Sequence, residues 1–407
     1  MNRIVLIGNG FDLAHNLKTR YEDFINWYWD YRVNGFVDEA KSISKDLLCS
    51  IEDLINQPWH VNAYYGYNLN NETGKDVIKE LIRDKDRFKF TFSPFFENIC
   101  KSIETKGWVD IENEYYHLLT EYALTNNFNE DVKGLNAQLR YLKDLLVKYL
   151  DNIDKQKVSI NESIKRKIYA PIKLDDISVA GKSILKENVD LWIDQNDKVV
   201  KDKIHRYGLN EEDFKTSLAY FRVNYKAGKI PFTDVPRQYL LPDAVMLLNF
   251  NYTHTAQLYH NADLGFINYI HGKIDAPQSV IFGYGDELDD DYKRLQKLND
   301  NECLCNVKTI KYQESDNYRK LLSFAESAPY QVCIMGHSCG NSDRTLLNTL
   351  FEHKNCISIK PYFYIKEDGT DNYLELIQNI SRNFTDMKLM RDRVVNKTYC
   401  ESLISNN

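Results

Sequence analysis

Glycine and proline are scarce in this chain, with 17 Gly and 9 Pro among 407 residues. Together with 28 Tyr and 19 Phe, this composition argues against an all-β repeat and predicts a helix-rich protein with an aromatic core. Long apolar runs are also missing. Because a membrane-spanning helix needs about 20 apolar residues, we expect no membrane span, and the apolar N-terminal stretch is too short for a signal peptide.

Basic charge and clustered cysteines are lacking as well. The formal net charge is −7, whereas a general nucleic-acid binder would carry a basic excess, so we expect no nucleic-acid partner. The eight cysteines form no CxxC pair and show no zinc-site spacing. We therefore expect a cytoplasmic protein with reduced thiols and no bound metal.

Short apolar runs that are typical of strands lie near the two ends of the sequence. We predict strands at residues 3–7, 244–250, 266–270, 280–282, 331–335 and 357–365. Most of them end at Gly, Asn or His, as buried parallel strands with functional loops do. We therefore expect an α/β protein with a Rossmann-like parallel sheet formed by residues 1–20 and 241–407.

Residues 21–240 are predicted to form a large, mainly helical insertion, which costs little in loop-closure entropy. Helical patterning is found at residues 21–31, 38–55, 108–124 and 131–152. In the last segment six leucines recur at helical spacing, and we interpret them as core residues. They are Leu135, Leu139, Leu142, Leu145, Leu146 and Leu150. Residues 154–183 are more charged and less periodic, which indicates a hinge or a boundary.

Polar residues follow several predicted strands at their carboxyl ends. The motifs are Gly8-Asn9-Gly10-Phe11-Asp12, Asn249-Phe250-Asn251-Tyr252-Thr253, Ile270-His271-Gly272, Phe282-Gly283-Tyr284-Gly285 and Gly336-His337-Ser338-Cys339-Gly340-Asn341-Ser342-Asp343. Parallel strands end at the same edge of a sheet, so these motifs predict one shared cleft. Gly8 and Gly10 allow a sharp turn and the close approach of a ligand. The helix that follows would direct its N–H groups at an anion such as a nucleotide phosphate.

These motifs, in this order, resemble the AbiH family of bacteriophage abortive infection proteins. The resemblance spans both ends of the chain, and Trp108-Val109-Asp110-Ile111-Glu112 in the middle also resembles that family. It implies a bacterial antiviral effector. The helical insertion of such an effector could contact a second copy or a partner from the same defence system.

The order of the motifs is also similar to that of sirtuin-like NAD-consuming domains. There, an Asn and a His act in cleaving the bond between nicotinamide and ribose, and the corresponding residues here are Asn251 and His271. The resemblance implies an NAD glycohydrolase with NAD as substrate or ligand. The residues expected to bind the nucleotide are Gly8, Asn9, Gly10, Phe11, Asp12, Gly283, Gly336, Ser338 and Asp343.

Elementary chemistry agrees with these roles. Histidine titrates near neutral pH and can act as a base, and an asparagine orients water or a ribose hydroxyl without adding charge. Two structural interpretations stay open, namely a capping or core histidine at 271 and a turn residue at 251. Thr253 stands where sirtuins usually have an acid, which favours a non-catalytic nucleotide sensor. No CxxC pair follows His271, so the zinc module of protein deacetylases is absent.

Three further interpretations are weaker. Gly336-His337-Ser338-Cys339-Gly340 fits the nucleophile elbow of a serine hydrolase, but the later His353 would lie far along the following helix; the same turn could instead contact a phosphate or cap the helix. Leu13 stands where the dinucleotide-binding fingerprint of dehydrogenases has its third Gly or Ala, so we do not expect a hydride-transferring dehydrogenase. Asp110 and Glu112 could hold the metal of a nuclease, or could complement a helix dipole.

Overall fold

A computed structural model describes residues 1–38, 43–55, 74–106, 109–124 and 128–404. Its contacts divide the chain into two units. The first contains Met1–Leu17, Lys157–Ile281 and Lys311–Asn407, and the second contains Lys18–Gln156 and Phe282–Ile310. Residues 157–240, which we expected in the insertion, belong by these contacts to the first unit. The domain limits drawn from the sequence stay a prediction.

In the first unit helical segments separate successive strands, while helices dominate the second unit. The strands are β1 (Asn2–Ile7), β2 (Ile43–Lys45), β3 (Cys49–Asp53), β4 (Phe88–Phe92), β5 (Val245–Asn249), β6 (Gly265–Tyr269), β7 (Tyr330–Met335) and β8 (Cys356–Tyr362). The helices are α1 (Asn9–Leu13), α2 (Tyr21–Asp38), α3 (Gly74–Arg83), α4 (Pro94–Lys106), α5 (Ile111–Ala123), α6 (Phe128–Asp154), α7 (Glu162–Tyr169), α8 (Val179–Asp194), α9 (Lys198–Arg206), α10 (Glu212–Lys226), α11 (Asp290–Lys297), α12 (Lys308–Lys311), α13 (Asn317–Ser327), α14 (Arg344–Phe351), α15 (Tyr373–Arg382) and α16 (Met387–Arg393).

The first unit is built on a five-stranded parallel sheet with the strand order β6-β5-β1-β7-β8. Ile7 pairs with Asn249 on one side and with Met335 on the other, so these three strands end at the same level. When only the strands of this sheet are numbered along the chain, their order is 3-2-1-4-5, which matches the first five strands of the Rossmann order 3-2-1-4-5-6. The predicted α/β fold with a Rossmann-like sheet is confirmed.

The central strands β1 and β5 are buried on both faces, because most of their residues are apolar. Ile4 and Leu6 belong to one hydrophobic cluster, and Val5 and Ile7 belong to another. Successive side chains of a strand point to opposite faces, so the two clusters lie on opposite sides of β1. This continuous apolar pattern is why the central strands could be predicted from the sequence.

Two parts of the predicted secondary structure are wrong. Residues 280–282 form no strand. They follow the short 3-10 turn Pro277–Ser279 and have no regular secondary structure. The helix predicted at residues 38–55 is wrong in its described part, because residues 43–45 and 49–53 form β2 and β3. These two strands form an antiparallel sheet with β4 in the second unit. Apolar and polar residues alternate in Cys49-Ser50-Ile51-Glu52 with the period of a strand, a signal that the helical interpretation overlooked.

The other predicted helices are present. The first extends further than expected, to Asp38 in α2, and residues 131–152 lie within α6. All six leucines of the predicted stripe in α6 are buried. Residues 154–183 contain α7 and the start of α8. None of the helices in the described part of the chain combines the length and the apolar character that a membrane crossing requires.

Candidate functional site

The turns that follow β1 and β7 pack backbone against backbone. The N–H of Gly8 donates to the carbonyl of Met335 (3.3 Å), and the N–H of Gly10 donates to the carbonyl of Gly336 (2.8 Å). Gly336 has a φ of +78°, and a Cβ there would lie 2.1 Å from the backbone nitrogen of Phe11. These glycines are therefore needed for the contact between the two turns.

This packing changes the role expected for the first motif. The N–H of Phe11 donates to the carbonyl of Gly8 (2.8 Å), so the N–H groups of Gly10 and Phe11 both have partners within the chain. The helix α1 has only five residues. Of the N–H groups at the start of α1, which we expected to face an anion, two are therefore occupied within the chain. The exposed member of the turn is Asn9.

Asp12, at the end of the first motif, is fixed by the motif after β5. It is 1% exposed, and the hydroxyl of Thr253 donates to its Oδ2 atom at 2.6 Å. The position at which a sirtuin-like domain would have an acid thus holds a threonine, and this threonine donates to an acid in α1. A short hydrogen bond to a buried carboxylate ties the two motifs together.

Asn251 links the same two strand ends. Its side-chain nitrogen donates to the carbonyl of Gly8 (3.0 Å), and its backbone N–H donates to Oδ1 of Asn249 (3.1 Å). Asn251 is half-buried. It thus makes the local bond expected of a turn residue, and it also stands beside the first motif, where we expected it.

His271 lies against Asp343 of the late motif. The Nε2 atom of His271 is 3.2 Å from Oδ1 of Asp343 and 3.1 Å from the hydroxyl of Tyr312. On the other side of the carboxylate, Nε2 of His337 is 3.5 Å from Oδ2. The Nδ1 atom of His337 accepts a hydrogen bond from the N–H of Cys339 (3.0 Å). Nε2 of His337 therefore carries the proton that faces Asp343.

The two imidazoles and the carboxylate are enclosed. His271 is 4% exposed, His337 6% and Asp343 8%, and the ring of Phe250 packs on both imidazoles, with centroid distances of 5.2 and 4.1 Å. Electrostatic interactions are stronger in such surroundings than in water. Burial, together with the Asp343 carboxylate, raises the pKa of Cys339, so this thiol stays neutral and is no nucleophile.

The structure therefore brings most of the predicted site residues to one edge of the sheet in the first unit. The sequence analysis missed two members of this cluster. His337 stood in the late motif, but only its glycine, serine and aspartate neighbours were selected. Tyr312 follows no motif, and its place beside His271 depends on the tertiary fold.

The hydrolase interpretation gains no support from this geometry. Ser338 is exposed, and its carbonyl accepts a hydrogen bond from Asn379. His353, the residue that this interpretation needs, lies with its Nε2 atom 3.1 Å from Glu326.

Gly283 and the acids near residue 110 belong to the second unit. The N–H of Gly283 donates to Oε1 of Glu112 (3.0 Å), and Lys308 donates to its Oε2 (2.8 Å). Asp110 caps α5 by accepting from the N–H of Asn113 (3.0 Å). Trp108 lies outside the described residues. Within the described ranges, no group of three or more His, Cys, Asp or Glu side chains is arranged to hold a metal ion.

The model of a family described as bacteriophage abortive infection AbiH matches residues 4–364, a span that contains every motif discussed above. Neither a curated protein nor a solved structure matches the chain significantly.

Proposed function

Because the chain belongs to the AbiH family of bacteriophage abortive infection proteins, we propose that it serves this defence by binding NAD or a related nucleotide and hydrolysing the nicotinamide–ribose bond. The observation that carries the proposal is the contact between His271 and Asp343. It lies at the carboxyl ends of the strands, where Asn251 donates a hydrogen bond to Gly8. A histidine with a carboxylate partner, and an amide at the same edge, supply the chemistry that this hydrolysis needs.

The strand order supports the location of the substrate. Along the chain, the sheet grows from β1 through β5 to β6 on one side, and then through β7 to β8 on the other. In open α/β sheets, ligands bind outside the carboxyl ends of the strands at the point where the order reverses. Here that point lies between β1 and β7, beside the exposed side chains of Asn9 and Ser338.

In the proposed reaction, water replaces nicotinamide on C1′ of the ribose. The C1′–N bond breaks, its electron pair goes to the ring nitrogen, and nicotinamide leaves as a neutral molecule. The water oxygen bonds to C1′, where positive charge has developed, as in other glycoside hydrolyses. The released proton passes to His271, so NAD and water give ADP-ribose, nicotinamide and one proton.

The residues have distinct roles in this scheme. Nε2 of His271 faces Asp343, so Nδ1 is the atom that accepts the proton from water, and the carboxylate stabilises the resulting imidazolium. Asn251 orients the water or a ribose hydroxyl. Since His271 is 4% exposed, its Nδ1 atom must become accessible when the nucleotide binds.

The proposal is tested by incubating the purified chain with NAD and following nicotinamide release by chromatography. We expect His271→Ala and Asn251→Ala to lose turnover while keeping the circular dichroism spectrum of the wild type. His205→Ala is the matched control, because His205 is an exposed histidine on α9. Wild-type turnover that survives both site substitutions would contradict the proposed roles.

A non-catalytic nucleotide sensor is the second candidate. The burial of His271 and the occupied N–H groups of Gly10 and Phe11 favour it. Such a sensor would signal to a second copy of the chain or to a defence partner. Calorimetry with NAD distinguishes the two functions, because stoichiometric binding without nicotinamide release identifies the sensor. If the chain neither binds nor cleaves NAD, both candidates fail.

A further inference from the structure

A cavity away from the strand-end motifs lies on one face of the sheet in the first unit. It has a volume of about 320 Å³ and is lined by residues of β1, β7, β8 and α7. None of the lining residues belongs to the strand-end motifs. Its volume is at the lower end of the range found for small-molecule sites, about 300–1,000 Å³. It would therefore take a ligand of modest size.

Positive charge dominates the lining. The buried part carries the cations Arg3, Lys167 and Lys360, and the exposed rim adds Arg166 and Lys173. Two acids oppose these five cations, Asp176 in the buried part and Glu401 at the rim. This excess is local, since the chain as a whole has a formal net charge of −7. The cavity would therefore attract an anion.

Arg3 and Lys167 are buried, and their hydrogen bonds in the described part of the chain go to uncharged groups. The guanidinium of Arg3 donates to the carbonyls of Ile168 and Ala170 (both 2.7 Å) and to the side chain of Gln331 (2.9 Å). Its Nε atom is buried and has no hydrogen-bond partner. Carbonyl dipoles orient a cation but do not neutralise it, and a buried charge without a compensating charge is costly.

The ammonium of Lys167 is held in the same way. It donates to the carbonyls of Ser402 (2.8 Å) and Leu403 (2.9 Å). Among the described residues, neither Lys167 nor Arg3 forms an ion pair with a carboxylate. Burial lowers the pKa of Lys167, as expected where the charged form is poorly compensated.

Lys360 differs, because it pairs with Asp176 at 2.8 Å. The second carboxylate oxygen of Asp176, Oδ1, is buried and has no hydrogen-bond partner. It is therefore placed to accept a hydrogen bond from a ligand hydroxyl. The cavity thus combines two buried cations that form no ion pair with one carboxylate oxygen that can accept a hydrogen bond.

We propose that this cavity binds a small phosphate monoester that carries hydroxyl groups. Its phosphate pairs with Arg3, Lys167 and the rim cations, and a hydroxyl donates to Asp176. A sugar phosphate has this chemistry, and inorganic phosphate shares the anionic part alone. The site is separate from the proposed NAD site, and its existence does not depend on NAD hydrolysis.

Isothermal titration calorimetry of the full chain with three probes tests this inference. We expect saturable, one-to-one binding of ribose 5-phosphate, weaker binding of inorganic phosphate and no binding of ribose. Absence of saturable binding for both phosphate compounds would overturn the inference. Binding of ribose as tight as that of ribose 5-phosphate would also overturn it, because recognition would then not use the phosphate.

Charge reversal at the rim gives a matched comparison. Arg166→Glu should weaken the binding of ribose 5-phosphate by about tenfold or more, whereas Lys165→Glu should leave it unchanged. Both positions are exposed on α7, and both substitutions change the net charge equally, but Lys165 does not line the cavity. Equal weakening in both variants would indicate nonspecific attraction and contradict the assigned site. His271→Ala should not affect the binding, which separates this site from the proposed NAD site.

Discussion

The Nε2 atom of His271 lies 3.2 Å from Oδ1 of Asp343, although the two residues belong to motifs that follow different strands. His337 approaches the other oxygen of the same carboxylate. One buried negative charge is therefore shared by two imidazoles. In the proposed reaction this charge stabilises His271 when it takes up a proton.

Asp343→Asn should consequently impair NAD hydrolysis. An amide occupies the same volume but carries no charge, so the imidazolium of His271 would lose its partner, and we expect kcat to fall by about 10²-fold or more. The measurement is nicotinamide release at saturating NAD. Asp275→Asn is the control, because Asp275 contacts His254 at the surface (3.4 Å). Wild-type kcat in Asp343→Asn would show that His271 needs no charge beside it.

The contact between the turns after β1 and β7 should contribute to stability. In Gly336→Ala, the new Cβ would meet the backbone of Phe11 at 2.1 Å, and the φ of +78° is unfavourable for alanine. We expect the free energy of unfolding to fall by at least about 2 kcal/mol in urea denaturation. Gly208→Ala isolates the effect of φ, because Gly208 has a φ of +66° and no atom within 4 Å of the added Cβ. Equal losses in the two variants would mean that the close packing of the turns contributes nothing.

The same glycines show what the sequence could and could not reveal. The strand β1 and the turn after it were evident, because an apolar run ends at Gly8. The sequence does not distinguish a glycine that makes room for a ligand from one that makes room for another turn. In the structure these glycines make room for the contact between the turns after β1 and β7. That contact forms because β1 and β7, which are far apart in the sequence, pair in the sheet.

Similar limits explain the other differences. The strand β4 was missed although Phe88, Phe90 and Phe92 alternate with polar residues at the period of a strand. The segment is short and lies in a region where helical patterns dominate. The motifs of Asn251 and His271 were found because each follows a recognisable apolar run, and the resemblance to sirtuin-like domains then selected these two residues. Tyr312 follows none, and its contact with His271 arises from packing between distant segments. Local patterns therefore predicted the strands and their ends better than the side-chain contacts of the candidate site.

Glu112 should prove structural. It accepts hydrogen bonds from Lys308 and from the backbone of Gly283, and Lys308 is only 1% exposed. In Glu112→Ala a buried ammonium would lose its counter-charge, so we expect a destabilisation of about 3–5 kcal/mol, measured by urea denaturation. Glu121→Ala, at an exposed position of the same helix, should change stability little.

A double variant separates this role from metal binding. Glu112→Leu combined with Lys308→Met removes both charges, and it should be less destabilised than Glu112→Ala, because no unpaired charge remains buried. A chelator should not change the unfolding of the wild type. If Glu112→Ala were as stable as the wild type and the chelator destabilised the protein, the metal-site interpretation would regain support.

His15 should make the stability of the protein depend on pH. Its Nδ1 atom donates to the carbonyl of Phe11 (2.7 Å), and its Nε2 atom contacts the hydroxyl of Tyr259. That hydroxyl oxygen accepts from the N–H of Asn161 (2.8 Å), so its own proton points at Nε2. The neutral imidazole satisfies all these bonds, whereas a proton on Nε2 would meet another donor.

Burial lowers the pKa of His15 below its ordinary value of 6.5. The unfolded chain therefore takes up a proton near pH 6.5, while the folded protein does so only at lower pH. Between these two values the unfolded state binds more protons, so stability rises with pH. The stabilising contribution of His15 is complete above about pH 6.5 and is lost as the pH falls through the interval below it.

His15→Gln tests this sign, because glutamine can donate and accept hydrogen bonds but does not titrate. We expect the wild type to exceed His15→Gln in free energy of unfolding at pH 7.5, and the difference to shrink as the pH is lowered to 5.5, measured by urea denaturation at several pH values. His205→Gln is the control, since His205 is exposed, and its profile should run parallel to that of the wild type. A parallel profile for His15→Gln would show instead that His15 has the same proton affinity in the folded and the unfolded chain.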